Sequence, residues 1–183
     1  MSITAQIISL EDAAALIGPE DGVWVGSALS IENPLIALLS EMGESLRGLT
    51  LVGSTDSGSD DIFNPKNSGS MRIVSIHNLC QSASGDSGDG EKFCENVCRL
   101  FGINTAALRL SPPDADGCCR VDADAADLTG AVLGFEGVTR RIAMLDLSQP
   151  SAVSGDTRLK VPIKDFDYIC SYKSRYAKDS IIA

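Results

Sequence analysis

Short, nearly unbroken apolar runs alternating with helix-like segments are what most constrain the fold of this chain. "VWV" (Val23 to Val25), "LTLVG" (Leu49 to Gly53) and "RIAMLDL" (Arg141 to Leu147) are rich in β-branched and aliphatic residues and show little polar alternation. A strand with that pattern has both faces buried, which belongs to a parallel sheet covered by helices on each side. The segments between them supply the helices. Ser9 followed by Glu11 and Asp12 predicts an N-cap and acidic first turn for a helix through Ile17, stopped by Gly18. Pro34 suits the first position of a second helix, "LIALLSEMG", which Gly43 ends. Glu91 to Phe101 predicts a third, with Phe93, Cys94, Val97, Cys98 and Phe101 on its apolar face, and "DADAADLTGAVLG" a fourth.

"TAQIIS", "MRIVSI" and "TAALRL" (Thr105 to Leu110) predict further strands, and "VPIKDFDYIC" a short edge-like strand or turn before a polar tail. The expected architecture is α/β: a mostly parallel sheet of about six strands with helices on both faces. One domain spanning residues 1–183 is expected, with mobile acidic loops near 54–70 and 82–90, where Ser, Asp, Gly and Asn dominate.

Charge narrows the range of partners. The chain carries 25 acidic against 15 basic residues, a net charge of -10, and no basic stripe, which argues against a nucleic-acid partner. No apolar run is long enough to cross a bilayer, and the start "MSITAQIISLEDAAALIG" lacks the basic region of a signal peptide, so no membrane is expected and the expected location is the cytoplasm. The six cysteines are then expected to be reduced thiols.

Several segments could carry chemistry. "VGSALSIENP" follows a buried strand and precedes a helix N-terminus, where open α/β sheets bind ligands. Neither G-x-G-x-x-G nor G-x-x-x-x-G-K-[ST] occurs. "GDSG" at Gly85 to Gly88 matches the nucleophile motif of trypsin-like proteases, but it lies in a Ser/Gly/Asp tract that yields such tetrapeptides by composition. His77, Cys80, Cys94 and Cys98 would suffice for a zinc ion, but Cys94 and Cys98 fall on an apolar helix face, where cysteine packs as a small hydrophobe, so no metal is expected. Cys118 and Cys119 are adjacent, and their side chains diverge in an extended chain. Arg120 is the only neighbouring cation the sequence offers to activate either thiol.

Taken in order, "SLEDAAALIGPEDGVWVGSALSIENPLIALLSEMGESLRGLTLVG" and "LRLSPPDADGCCRVDADAADLTGAVLGFEGVTRRIAMLDLSQPSAVSGDTRLKVPIKDFDYI" resemble the acetyl-CoA hydrolase and CoA-transferase family, which includes 4-hydroxybutyrate and acetate CoA-transferases. "SPPDADG" and "GDTRLKVPIKDFDYI" are the most specific pieces. The resemblance implies a CoA-transferase-type domain related to the N-terminal half of the longer enzymes. It implies acyl-CoA and a carboxylate as substrates, with no resident cofactor.

In that family a glutamate of the C-terminal half attacks the acyl-CoA and passes through a glutamyl-CoA thioester. A partner half or a homo-oligomer is therefore expected, and no catalytic residue is assigned in this chain. Carried over as substrate-binding positions are Gly26, Ser27 and Ala28 in the first loop, Gly53 and Ser54 after the next strand, and Pro113, Asp114 and Gly117 in the later turn. Ser27 and Ala28 depart from the family's consecutive glycines. The alternatives are a non-catalytic domain that kept the fold and lost the chemistry, and a small zinc-binding protein.

Overall fold

The computed structural model describes residues 5–26, 29, 33–54, 71–76, 89–121, 126–150 and 160–173. Ser27, Ala28, His77, Cys80, Gly85 to Gly88 and nearly all of the two acidic stretches lie outside them. The strands are β1 (Gln6–Ile7), β2 (Gly22–Gly26), β3 (Thr50–Gly53), β4 (Arg72–Ser75), β5 (Ile103–Leu110), β6 (Cys118–Arg120), β7 (Arg140–Asp146), β8 (Lys160–Pro162) and β9 (Tyr168–Tyr172). The α-helices are α1 (Leu10–Ala15), α2 (Pro34–Met42), α3 (Asp89–Leu100) and α4 (Ala126–Gly134).

Seven strands form one sheet in the order β1-β9-β7-β5-β2-β3-β4, with every neighbouring pair parallel. The mostly parallel α/β architecture read from the apolar runs is the one observed, but its strand count was too low. "VPIKDFDYIC" is the expected edge-like strand or turn only in part: it takes in the end of β8, which pairs with β6 alone, and a 3-10 turn, but its last residues begin β9, which is inserted between β1 and β7 through five registered pairs with β7. "CCR" forms a strand that the sequence did not announce, because three residues are too few to show a period. It pairs with β8 in a separate antiparallel ribbon.

Side-chain alternation divides the core in two. Val23, Val25, Leu51, Ala107, Ile142 and Met144 point to the face covered by α1 and α2. Trp24, Val52, Ala106, Leu108 and Ala143 point to the face that contains Cys94, Val97 and Cys98 of α3 and Val132 of α4. The inner strands β2 and β3 are thus buried at nearly every position because both faces are covered, and the predicted α3 stripe packs as its spacing requires, with Cys94, Val97 and Cys98 buried and Phe93 and Phe101 partly so.

Local signals set the helix ends. Ser9 Oγ accepts from the Asp12 N–H at 2.9 Å while Asp12 accepts from the Ser9 N–H, a capping box. Asn33 Oδ1 accepts from the Leu35 N–H, and Pro34 follows as the first helical residue. The first helix stops at Ala15, two residues short of expectation, because the Gly18 N–H turns to the Asp21 carboxylate.

Trp24, 1% exposed, has an indole N–H with no hydrogen-bond partner among the described residues. Trp24→Phe removes a donor whose desolvation is uncompensated, worth about 1–3 kcal/mol, and offsets that gain with lost packing volume. The variant is expected to unfold within about 1 kcal/mol of the wild type in urea, followed by circular dichroism because it removes the chain's single tryptophan. A loss well above 2 kcal/mol would refute the unsatisfied donor.

Candidate functional site

The strand order locates a crevice. From β2 the chain runs through α2 on one face to β3, whereas from β5, the neighbour of β2 on the other side, it runs through α4 on the opposite face towards β7. The connections leaving the carboxyl ends of β2 and β5 therefore diverge. In an open α/β sheet this topological switch point is where ligands bind.

Three of the sequence-predicted residues meet beside it. The Ser54 N–H donates to the Gly26 carbonyl at 2.8 Å, and the Leu29 N–H donates back to the Ser54 carbonyl at 3.3 Å, so the loop leaving β2 is tied to the end of β3. This approach requires the absence of a side chain at Gly53, where a Cβ would stand 2.5 Å from the Gly26 carbonyl oxygen and 2.9 Å from Val25 Cγ2. The α2 N-terminus, capped by buried Asn33, opens at the same edge and brings the positive end of its dipole there. Ser27 and Ala28 belong to the same loop but fall outside the described residues.

Pro113, Asp114 and Gly117 form the turn of a hairpin that continues β5 beyond the same edge. Leu110 bridges Val121, the Ser111 N–H donates to the Arg120 carbonyl, and the Arg120 N–H donates to Ser111 Oγ. Asp114 holds the turn internally: Oδ1 accepts from the Asp116 and Cys118 N–H groups at 3.0 and 2.9 Å, and Oδ2 accepts from Lys160 Nζ of β8 at 2.6 Å. Lys160, together with these backbone donors, keeps the Asp114 carboxyl below the usual carboxylate range. Gly117 has φ +75, and its carbonyl accepts from the Ile163 N–H. Pro113 is exposed.

Sequence reasoning did not single out Lys160 or Asp146. Asp146 ends β7 at the same edge, is 3% exposed, and accepts from the Ser148 N–H and hydroxyl. Its signal was legible: an acid closing an apolar run with serine two residues on. Lys160 had no such signal, since its partner lies 46 residues away.

The thiols divide by environment. Burial pushes Cys119 up to about 11, so its thiol stays protonated at neutral pH. Cys118 is half-buried. Cys94 and Cys98 are buried on α3, the Cys94 thiol approaches the Leu128 carbonyl at 3.8 Å, and its hydrogen bond to Cys98 lowers the Cys98 pKa against the opposing effect of burial. Among the described residues no three His, Cys, Asp or Glu side chains are grouped to hold a metal, and no helix is long and apolar enough to cross a membrane.

No protein-family model matches the chain, and no curated protein matches it by sequence. Solved structures do. A 4-hydroxybutyrate CoA-transferase from Porphyromonas gingivalis is 15% identical with a TM-score of 0.63, covering 92% of this chain and 39% of that one. RipA from Yersinia pestis is 16% identical with a TM-score of 0.67, covering 92% of this chain and 41% of that one. A cysteine-to-serine variant of the decarboxylase AibA/AibB is 16% identical with a TM-score of 0.56, covering 94% of this chain and 84% of that one. The chain therefore spans about two fifths of the length of the first two and most of the third. The strand order, the two-faced core and these likenesses together give this chain the α/β fold of the CoA-transferases.

Proposed function

We propose that this chain is a CoA-transferase domain that shapes an acyl-CoA and carboxylate site and works with a second half carrying the catalytic glutamate. The observation that carries the reading is the joining of Gly26, Gly53 and Ser54 beside the switch point, on a fold that a 4-hydroxybutyrate CoA-transferase shares. In the reaction the partner's glutamate takes over the CoA thioester as the acyl group leaves as its carboxylate, and the glutamyl-CoA then either gives CoA to a second carboxylate or is hydrolysed to free CoA, the glutamate being regenerated in both cases. This chain's part is electrostatic and geometric. The N-terminus of α2 turns the positive end of its dipole towards a polarised carbonyl, and the β5 hairpin walls the other side.

The chain needs no resident cofactor on this reading, and it works in the cytoplasm away from membranes and nucleic acid. Its partner is a separate CoA-transferase half or a second copy. A subunit-sized match within AibA/AibB, a decarboxylase named for two chains, supports a divided arrangement.

The test is ligand binding followed by activity. CoA or acyl-CoA should raise the melting temperature of the chain, alone or with its partner, since a ligand that binds only the native state stabilises it. Mixing with the partner should give acyl-CoA:carboxylate exchange that the isolated chain lacks. Gly53→Ala should abolish the ligand-induced shift, because its Cβ would drive the Gly26 carbonyl outward. Absence of any shift, with or without partner, would favour a non-catalytic domain of the same fold.

A further inference from the structure

We propose that Lys160 is a positioning residue for this edge: from β8 it clamps the Asp114 carboxylate and holds the turn beyond β5 in one geometry before any ligand arrives. The inference takes from the acyl-CoA reading only the identity of the ligand that the turn would meet.

The turn sits outside the seven-stranded sheet, so nothing in that sheet's ladder fixes it. Its anchors come from β8 and the residues after it. Lys160 Nζ reaches Asp114 Oδ2 at 2.6 Å, and the Ile163 N–H reaches the Gly117 carbonyl at 2.9 Å, two attachments on either side of the short register Cys118↔Pro162, Cys119↔Val161, Arg120↔Lys160. The two charged side chains are only 17% and 12% exposed, so the pair is shielded from the screening that weakens surface ion pairs. Asp114 Oδ1 is meanwhile occupied by the Asp116 and Cys118 N–H groups. Lys160 therefore fixes the carboxylate that in turn fixes the backbone. A charge-assisted hydrogen bond of this kind transmits order from one segment to another that is remote in sequence.

The consequence is pre-organisation. A binding edge already held in its bound shape loses less conformational freedom when the ligand arrives, and affinity rises accordingly. Lys160 touches no reacting atom on this account. It acts through Asp114.

The experiment is residue-resolved hydrogen exchange on the full chain without ligand, comparing wild type with Lys160→Met and Lys160→Arg. Lys160→Met should speed exchange of the Asp114, Asp116 and Cys118 amides about tenfold or more, because losing a charge-assisted hydrogen bond makes local opening of the turn easier. The Thr50 amide, bonded to the Asp21 carbonyl at the opposite end of the sheet, should be unchanged. Lys160→Arg, which keeps the positive charge facing Asp114, should restore slow exchange at the turn. Unchanged exchange in Lys160→Met overturns the proposal, as does acceleration spread equally to Thr50, which would mark general destabilisation. Calorimetry with CoA then separates the two ideas. If the wild type binds CoA, Lys160→Met should bind it more weakly, and equal affinity would overturn the positioning role. If the wild type binds no CoA, alone or with its partner, while the turn amides still respond, the acyl-CoA reading falls and the clamp stands.

Discussion

Gly22→Ala is expected to destabilise the protein by about 3 kcal/mol, lowering its melting temperature by roughly 6–12 °C in a chain of this size. A Cβ built on Gly22 lies 2.4 Å from the Gly102 carbonyl oxygen, 2.5 Å from that of Phe101 and 2.6 Å from the Gly102 carbonyl carbon. All three are backbone atoms, so no rotamer change relieves the contact. The start of β2 would have to separate from the turn joining α3 to β5, against the pairing of Gly22 with Ile103 and the buried strand on either side. Gly130→Ala provides the contrast, since a Cβ there meets nothing within 4 Å and the residue lies inside α4. That substitution should be neutral or stabilise by up to about 1 kcal/mol through helix propensity. Thermal unfolding followed by circular dichroism reads both. A Gly22→Ala protein as stable as the wild type would show that β2 and β5 do not approach as described.

The part of the fold that could be read in advance is the part whose cause is local or periodic. Unbroken apolar runs required a two-faced parallel sheet, and β2, β3 and β7 lie in its interior. Ser9 and Pro34 announced helix starts, Ser9 through hydrogen bonds spanning three residues and Pro34 through a missing N–H that costs nothing at the first helical position. What escaped has its cause far along the chain. β9, with two neighbours in the sheet and a mixed burial pattern of its own, holds its place by pairing with β7 rather than by its composition. The same division holds at the candidate site. Gly26 and Gly53 stood out as glycines ending apolar runs, whereas the tie between them follows from strand order, and Asp114 was noticed in its turn without its partner on β8.

Asp21 carries the second large effect. It sits in what sequence inspection sees only as a "GPEDG" turn, yet its carboxylate gathers the amino-terminal ends of three strands. Oδ2 accepts from the Gly18 N–H at 2.8 Å and from Arg140 Nη1 of β7 at 3.1 Å, and Oδ1 accepts from the Asn104 side chain of β5 at 2.7 Å. Arg140 also donates to Thr105, which is fully buried and itself donates to Asn104. The Arg140 and Asp21 side chains are 27% and 16% exposed, so solvent screens the pair only in part. Asp21→Ala strips acceptors from three donors at once and is expected to cost about 2–3 kcal/mol, measured as a shift in urea midpoint with unchanged slope.

Burial works to raise the Asp21 pKa, but the Gly18 N–H, the Asn104 amide and the Arg140 guanidinium outweigh it and hold the carboxyl below its ordinary value of 3.8. A group whose pKa is lower in the folded protein contributes stability that is complete above its unfolded pKa and is lost as pH falls through the folded one. The difference between wild type and Asp21→Asn should therefore be constant from neutral pH down to about 5 and shrink as the pH drops below the ordinary carboxylate value. A difference that grew with acidity would mean that the folded protein raises this pKa, and the three-strand junction would then have to be held by something other than a charged Asp21.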